Sequence, residues 1–377
     1  MTGHWDVIVI GLGGVGSSAA FHLAKTGRKV LGIDQFAPVH DRGSSHGRTR
    51  VIRQAYFEHP DYVPLLRRAY RLWKELEQES GQRLYQRTGI VEIGPADGVV
   101  VPGVLQSARD HDLNVQQLQM SEVTSRWPVL RGDHDWTAVI ESDAGFLRVE
   151  SCVDAHLSLA RASGCVCLHN QSVRKWQVDG SHISVTTDDG TQYCRHLVVA
   201  SGAWSGPLLG RYGVPLTVLR KYQYWFATDD ARFDLASEFP CFFFETPQGY
   251  FYGFPRLDNS GVKVSRHSGG RVLSDATIPV RDVDEPDAQL VCEFNKQYTL
   301  GLESPPRDRS GCFYTVTPDE HFIVDQLPDT PAVNVVAGLS GHGFKFTSVL
   351  GEMVAQMVHD QSNACVPELF RLARFLR

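Results

Sequence analysis

No stretch of this 377-residue chain approaches the roughly 20 consecutive apolar residues that a membrane-spanning helix needs. The N-terminal MTGHWDVIVIG has neither a cationic segment nor a small-residue cleavage site, so no secretory leader is expected. The C-terminal RLARFLR matches no lipidation or peroxisomal signal. An excess of basic charge is also missing: 37 Lys and Arg face 43 Asp and Glu, for a net charge of −6. Such a chain lacks the basic surface that binds nucleic acids or anionic membranes. The eight cysteines are scattered, with one CxC pair (Cys165, Cys167) and no CxxC spacing, which argues against a zinc ribbon. They read as reduced thiols of the cytoplasm and not as a disulfide framework. Internal repeats and low-complexity linkers are absent as well.

What remains is a globular α/β chain long enough for roughly two domains. Asp6–Ile10 (DVIVI) is a β-branched apolar run of the kind that becomes a strand buried on both faces. It leads into Gly11-Leu-Gly13-Gly14-Val15-Gly16 and then a run of small residues suited to a helix packed close to a sheet. A second strand (KVLGID) ends in Asp34, 18 residues past Gly16. A GxGxxG alone is weak evidence. Between a strand and a helix, with an acid closing the next strand, it describes a Rossmann-like dinucleotide site. The glycines let backbone approach a pyrophosphate at the helix N-terminus. Asp34 suits ribose hydroxyls and disfavours a 2′-phosphate, leaving NAD or FAD.

Further along, an amphipathic helix is expected from Tyr62, presenting Leu65, Leu66, Ala69, Leu72, Trp73 and Leu76 on one face. Residues 89–95 read as a strand, 148–163 as a helix ended by Gly164, and 215–320 mostly as strands rich in aromatics. The segment NVVAGLSGHGFKF then passes into a last helix. Nucleotide-type βα elements thus occupy both ends and the middle, with strand-rich blocks inserted. The expected division is a discontinuous nucleotide domain (1–85, 146–214 and 321–377) and a substrate domain (86–145 and 215–320) built on a large mixed or antiparallel β-sheet. Cys312 sits just ahead of a polar turn, where core filling and chemistry are both open readings. Arg50 and Arg53, three apart, would share a face if their segment turned helically. Arg suits bidentate carboxylate recognition. In VKVSRH, strand alternation sets Lys263, Ser265 and His267 on one face.

Three segments carry a resemblance: GSSHGRTRVIRQAY (43–56), CFYTVTPDEHFIVD (312–325) and GLSGHGFKF (338–346). With the N-terminal fingerprint, and with GPAD (94–97), FLRVES (146–151) and YGFP (252–255), the chain resembles the family of monomeric sarcosine oxidase, N-methyltryptophan oxidase and pipecolate oxidase over essentially its whole length. The resemblance implies a monomeric flavin enzyme that oxidises a secondary amino acid, with dioxygen reduced to hydrogen peroxide. A cyclic imino acid oxidase is the alternative within the class, and an NAD-dependent dehydrogenase the alternative outside it.

The resemblance also implies residue roles. FAD would be joined through its 8α-methyl to Cys312. It would lie along Gly11, Gly13, Gly14, Val15, Gly16, Asp34, Gln35, Ser44, Arg50, Val173, Gly202, Trp204, Gly338, Gly341, Gly343 and Lys345. Arg53 and Lys345 would clamp the substrate carboxylate. Arg50 and His46 would lie against the flavin, Lys263 would activate oxygen, and His267 and Tyr314 would face the substrate. No metal is implied. Two departures bear on the substrate. GSSHGRTR stands where sarcosine oxidases have GSHHGDTR, so Arg48 replaces an acid, and Phe251 stands where they carry a tyrosine. The aromatic run Tyr250–Phe254 suits something bulkier than sarcosine.

Overall fold

A computed structural model describes residues 3–274 and 284–375 of the protein. The expected strand content of 275–283, and the outermost residues of the expected domains, lie outside the described residues. The fold is α/β, with two large sheets and a small three-stranded one.

The first sheet has eight strands. At its centre His4–Ile10 runs parallel to Val30–Ile33 on one side and to Gly190–Val199 on the other. Val7–Ile10 and Val30–Ile33 are fully buried, as expected of parallel strands covered on both faces. Val166–Leu168 forms an edge beside Val30–Ile33, and Thr330–Ala337 adds to Gly190–Val199. One face is covered by the helix Gly14–Lys25, which packs against Val149–Ala162 and Thr347–Asp360. The helix Val63–Ser80 joins this layer through Leu66, Ala69, Leu72, Trp73 and Leu76, while Leu65 is only half-buried. Every strand of this sheet falls within 1–85, 146–214 or 321–377.

Two glycines make the first turn possible. Gly11 has φ +86°, a conformation that side chains with a Cβ adopt at a cost. A Cβ on Gly16 would drive into the carbonyl oxygen of Gly11, so only glycine lets the helix start this close to the strand.

The second sheet has nine strands, mostly antiparallel. Cys241–Thr246 pairs in parallel with Ile90–Pro95, and in antiparallel with Gly249–Gly253, which continues to Val262–Arg266 and Thr217–Phe226. Asp308–Val316 lies along Thr217–Phe226, setting Cys312 opposite Lys221. The small sheet joins Thr49–Ile52, Gly145–Arg148 and Tyr85–Arg87.

Three expectations are corrected here. The block 215–320 also contains a helix, Glu285–Tyr298. Arg50 lies in the strand Thr49–Ile52 and not on a helical turn. Arg53 lies just past the strand's end, and of the two only Arg50 lines the cavity described below. Finally, Phe251 does not face the substrate side. It stacks on Phe294 with ring centroids 4.4 Å apart, inside the core beneath that helix. Its strand neighbours Tyr250 and Tyr252 take the other face, beside Phe243 and His267.

Candidate active site

A cavity of about 320 Å³ runs from the carboxyl ends of the first sheet's central strands to the second sheet. Glycines are frequent in its walls. Gly11, Gly13, Gly14 and Val15 line it where the helix Gly14–Lys25 begins, and the N-cap Gly13 offers no side-chain cap to the first-turn N–H groups. Asp34, Gln35 and Val173 line one end, with Gly202 and Trp204 alongside. Ser44, Arg50 and Tyr314 lie toward the other, together with Gly338, Gly341 and Gly343. Gly16 is in the helix behind this wall. Gly14 N–H is tied to Ser45 Oγ at 3.0 Å, fixing the 43–50 segment against the glycine turn.

Asp34 is buried. Burial alone would raise its carboxyl, but hydrogen bonds from His40 and from the N–H groups of Leu12 (2.7 Å) and Phe36 (2.9 Å) hold it below the ordinary range. It is therefore an ionised acceptor lining the cavity. Two further observations fit a dinucleotide. The helix Thr347–Asp360 also begins at the cavity, so a second helix N-terminus faces it. Thr315 Oγ1 and Thr347 Oγ1, both on lining residues, are buried polar atoms with no hydrogen-bond partner among the described residues. Buried polar atoms are seldom left so, and a bound cofactor would satisfy them.

Beyond the cavity lies a cluster of buried charge. Arg53 donates to Glu58 at 2.9 Å and to the Ala55 carbonyl, and lies 3.4 Å from Glu92. Although burial works against its charge, Glu58 and Glu92 raise the pKa of the Arg53 guanidinium. Glu58 is pushed up by burial, yet Arg53, His342 and Lys345 bring it down to about 2. Glu92 is instead pushed up to about 8 by burial and stays neutral at pH 7. Lys345 Nζ donates to the His342 carbonyl at 2.9 Å and to Tyr56 Oη at 3.3 Å. Burial, with Arg53 nearby, lowers it to about 7. Arg53 and Lys345 both lie against the Tyr56 ring, 4.5 and 5.0 Å from its centroid.

Against the second sheet, His267 Nδ1 and Tyr314 Oη share a hydrogen bond at 3.3 Å. Burial and the Lys221 charge bring His267 down to about 3, so the imidazole is neutral. Lys263 Nζ donates to the carbonyls of Gly47 (2.7 Å) and Thr49 (3.0 Å) and to Thr49 Oγ1. Burial, then Arg50, pull its pKa down. His46 is buried beside the Gly43 carbonyl, 3.0 Å away, and burial and Arg50 lower it to about 4. Cys312 is buried on the same strand face as Tyr314, two residues away.

The structure therefore brings together Arg50, Tyr314 and the glycines at the cavity wall, and Arg53 with Lys345 behind it. His46, Lys263, Cys312 and Phe251 are not part of that wall. Arg48 turns outward, to Asp258 and Ser260 and over the Trp225 ring, so this departure does not alter the cavity. Sequence reasoning missed Tyr56, Glu58, Glu92, Tyr252 and His342. His342 lies inside GLSGHGFKF, and Tyr252 follows from alternation once the strand's register is known. Glu92 had no local signal, being an acid in an apolar strand.

A family model for FAD-dependent oxidoreductases matches residues 6–357, and the chain belongs to that family. FAD, and not a nicotinamide, is accordingly its cofactor, which removes the NAD alternative. Among relatives, it is 39% identical to a monomeric sarcosine oxidase of Streptomyces avermitilis, over 95% of this chain and 94% of that one. It is 36% identical to an N-methyl-L-tryptophan oxidase of Escherichia coli, over 98% and 99%. The fold matches that of NikD, an unusual amino acid oxidase (TM-score 0.85, 23% identity, 96% of each chain). It also matches that of an L-proline dehydrogenase from P. horikoshii (TM-score 0.86, 20% identity, 100% and 99%).

Proposed function

We propose that this protein oxidises the carbon–nitrogen bond of an N-methylated amino acid such as sarcosine or a larger analogue, with dioxygen as the final acceptor. The observation that carries this reading is the Arg53–Lys345 pair. Arg53 is charged, Lys345 gains its charge as pH falls through about 7, and Glu58 is the ionised carboxylate beside them, Glu92 being pushed up to about 8 by burial. A ligand carboxylate supplies the missing negative charge through charge-assisted hydrogen bonds.

FAD, when bound, supplies the two-electron acceptor, taking the equivalent of a hydride from the carbon next to nitrogen and passing both electrons to dioxygen as hydrogen peroxide. The protein's residues hold and orient. Arg53 and Lys345 fix the carboxylate, which sets the direction of the amine. Neutral His267 and protonated Tyr314 offer a polar, uncharged partner to an unprotonated amine. Three acceptor oxygens around Lys263 Nζ match the donors of an ammonium, a positive charge placed to favour the reduction of dioxygen. The imine product hydrolyses to an aldehyde and a primary amine. Positioning and fixed charge carry much of the acceleration.

The covalent cysteinyl link through Cys312 belongs to the same reading, supported by the thiol's place on the Tyr314 face of its strand. Acid-precipitated protein should stay yellow, and Cys312→Ala should release the colour. A cytoplasmic setting is in keeping with eight cysteines left as free thiols. A cyclic imino acid such as pipecolate or proline is the second reading, favoured by the aromatic wall of Phe243, Tyr250 and Tyr252 around His267. A peroxide-coupled screen of N-methyl amino acids, pipecolate and proline decides between them. Equal turnover of a substrate and its decarboxylated analogue would remove the carboxylate clamp from the reading.

A further inference from the structure

We propose that Cys165 and Cys167 form a peroxide-reactive dithiol that closes to a reversible intrachain disulfide at the edge of the first sheet. The two Sγ atoms are 3.9 Å apart. Cys165 immediately precedes the edge strand Val166–Leu168, and Val166 between the two cysteines is exposed. Cys165 is buried in the core beneath the helical layer, and half-buried Cys167 packs against it. Neither residue lines the cavity described above.

The two sulfurs are unequal. The hydrogen bond with Cys165 lowers the Cys167 thiol, outweighing burial, and the Arg161 charge adds to the effect. The same hydrogen bond, then burial, push Cys165 up. Arg161 stands in the last turn of Val149–Ala162 and lies 3.3 Å from His169 Nε2. Thiolates, not thiols, attack peroxides, so Cys167 reacts first and Cys165 resolves.

In the first step the Cys167 sulfur takes one oxygen of H2O2 to become a sulfenic acid. The O–O bond breaks, and the other oxygen leaves as water after protonation. In the second, the Cys165 sulfur attacks the sulfenic sulfur, and its proton leaves with the hydroxyl as water. Two thiols and one peroxide give one disulfide and two waters. The reaction proposed above would supply peroxide, but any source serves, so the inference does not rest on the substrate reading.

Closure has a consequence for the cavity. Alternate Cα atoms on a strand lie roughly 6.6 Å apart, near the ~6.8 Å limit that a disulfide spans. Closing the sulfurs from 3.9 Å to the roughly 2.05 Å of a disulfide bond draws the two ends of this short edge segment together. It pairs with Leu31–Ile33, and its Leu168 carbonyl accepts the Asp34 N–H at 2.9 Å. Oxidation at this edge pulls on the carboxylate assigned to the ribose.

The test uses reduced holoenzyme treated with a small excess of H2O2, alkylated, and peptide-mapped without reduction. The peptide holding both cysteines should lose two hydrogens and resist alkylation, and dithiothreitol should restore it. Cys292 and Cys365, equally half-buried but with thiols raised by burial, should still alkylate. Cys165→Ser should stop at a sulfenic acid on Cys167 that dimedone traps. Cys167→Ser should slow the peroxide reaction of the remaining thiol by roughly tenfold or more. The wild-type map needs no variant to fold. If the pair alkylates as readily as Cys292 and Cys365 after peroxide, or if Cys167→Ser reacts at the wild-type rate, the proposal is overturned.

Discussion

The two ends of the site are made of different material. At the dinucleotide end the walls are rich in glycine, with Asp34 held ionised beside the glycine turn. At the substrate end the groups are charged or titratable side chains from four separate segments: Arg53 with Glu58, Glu92, Lys263 with His267, and Lys345. Backbone recognition depends on shape and tolerates changes in charge. Side-chain recognition by buried charges depends on pH and on every partner, because burial magnifies each unpaired group. The first end should therefore fail through volume and the second through charge.

The largest effect should come from adding volume at the first end. Gly16→Val forces side-chain carbon into the Gly11 carbonyl, where rigid backbone cannot yield. Overpacking costs roughly 1–3 kcal/mol even where side chains can move, so this variant should lose both melting temperature and bound FAD. Wild-type melting with full flavin content would break the comparison at its first end.

Next is Lys263→Met, which keeps the stem and deletes the charge. Reaction of the reduced enzyme with dioxygen should slow by orders of magnitude, each tenfold being roughly 1.4 kcal/mol. Anaerobic reduction by substrate should fall much less, and rapid mixing separates the two. Because burial lowers the Lys263 pKa, its charged form is favoured on the acid side. The gap between wild type and variant should narrow as pH rises. Reoxidation at the wild-type rate would leave Lys263 a structural strand lysine.

Lys345→Met should weaken binding of carboxylate substrates or inhibitors by about 1.5–3 kcal/mol, the worth of a hydrogen bond to a charged group. Lys345 titrates near 7 in the folded protein, and its ammonium exists below that value. Carboxylate affinity in wild type should thus fall as pH rises through 7, and the variant should lose this dependence. Equilibrium titrations of a carboxylate inhibitor across pH measure both.

The smallest change should follow from Glu58→Gln. Glu58 is the ionised partner of Arg53 and competes with an incoming carboxylate for it. Neutralising it should raise carboxylate affinity by up to about tenfold, or roughly 1.4 kcal/mol. Weaker binding would mean that Glu58 positions Arg53 and does not compete.

The same contrast explains what could be read from the chain. The glycine turn, Asp34, and the helices over Val63–Ser80, Val149–Ala162 and Thr347–Asp360 were legible because each is set by residues close in sequence. Arg53, Lys263, His267 and Lys345 were singled out as residues, but their partners were not. Glu92 in an apolar strand has no local pattern that brings it to a guanidinium, and Glu58, five residues from Arg53, reaches it only through the turns of the loop between them. Phe251 shows the failure most clearly. One step in strand register separates the Phe294 core from the His267 face, and aromatics at 250, 251, 252 and 254 leave no polar residue to mark which is which.

By itself the sequence determined the strand–glycine–helix start and the dinucleotide it serves, since hydrogen bonding and sterics within a few residues decide that geometry. It also determined which ionisable residues are present to act. Only the tertiary structure decided which of them are charged. Lys345 at about 7 and Glu92 at about 8 take those values from burial and from neighbours tens or hundreds of residues away, and Glu58 at about 2 from nearby Arg53 together with distant His342 and Lys345. The energy of an ionised group depends on everything packed around it, and that surrounding exists only once the two sheets have closed on each other.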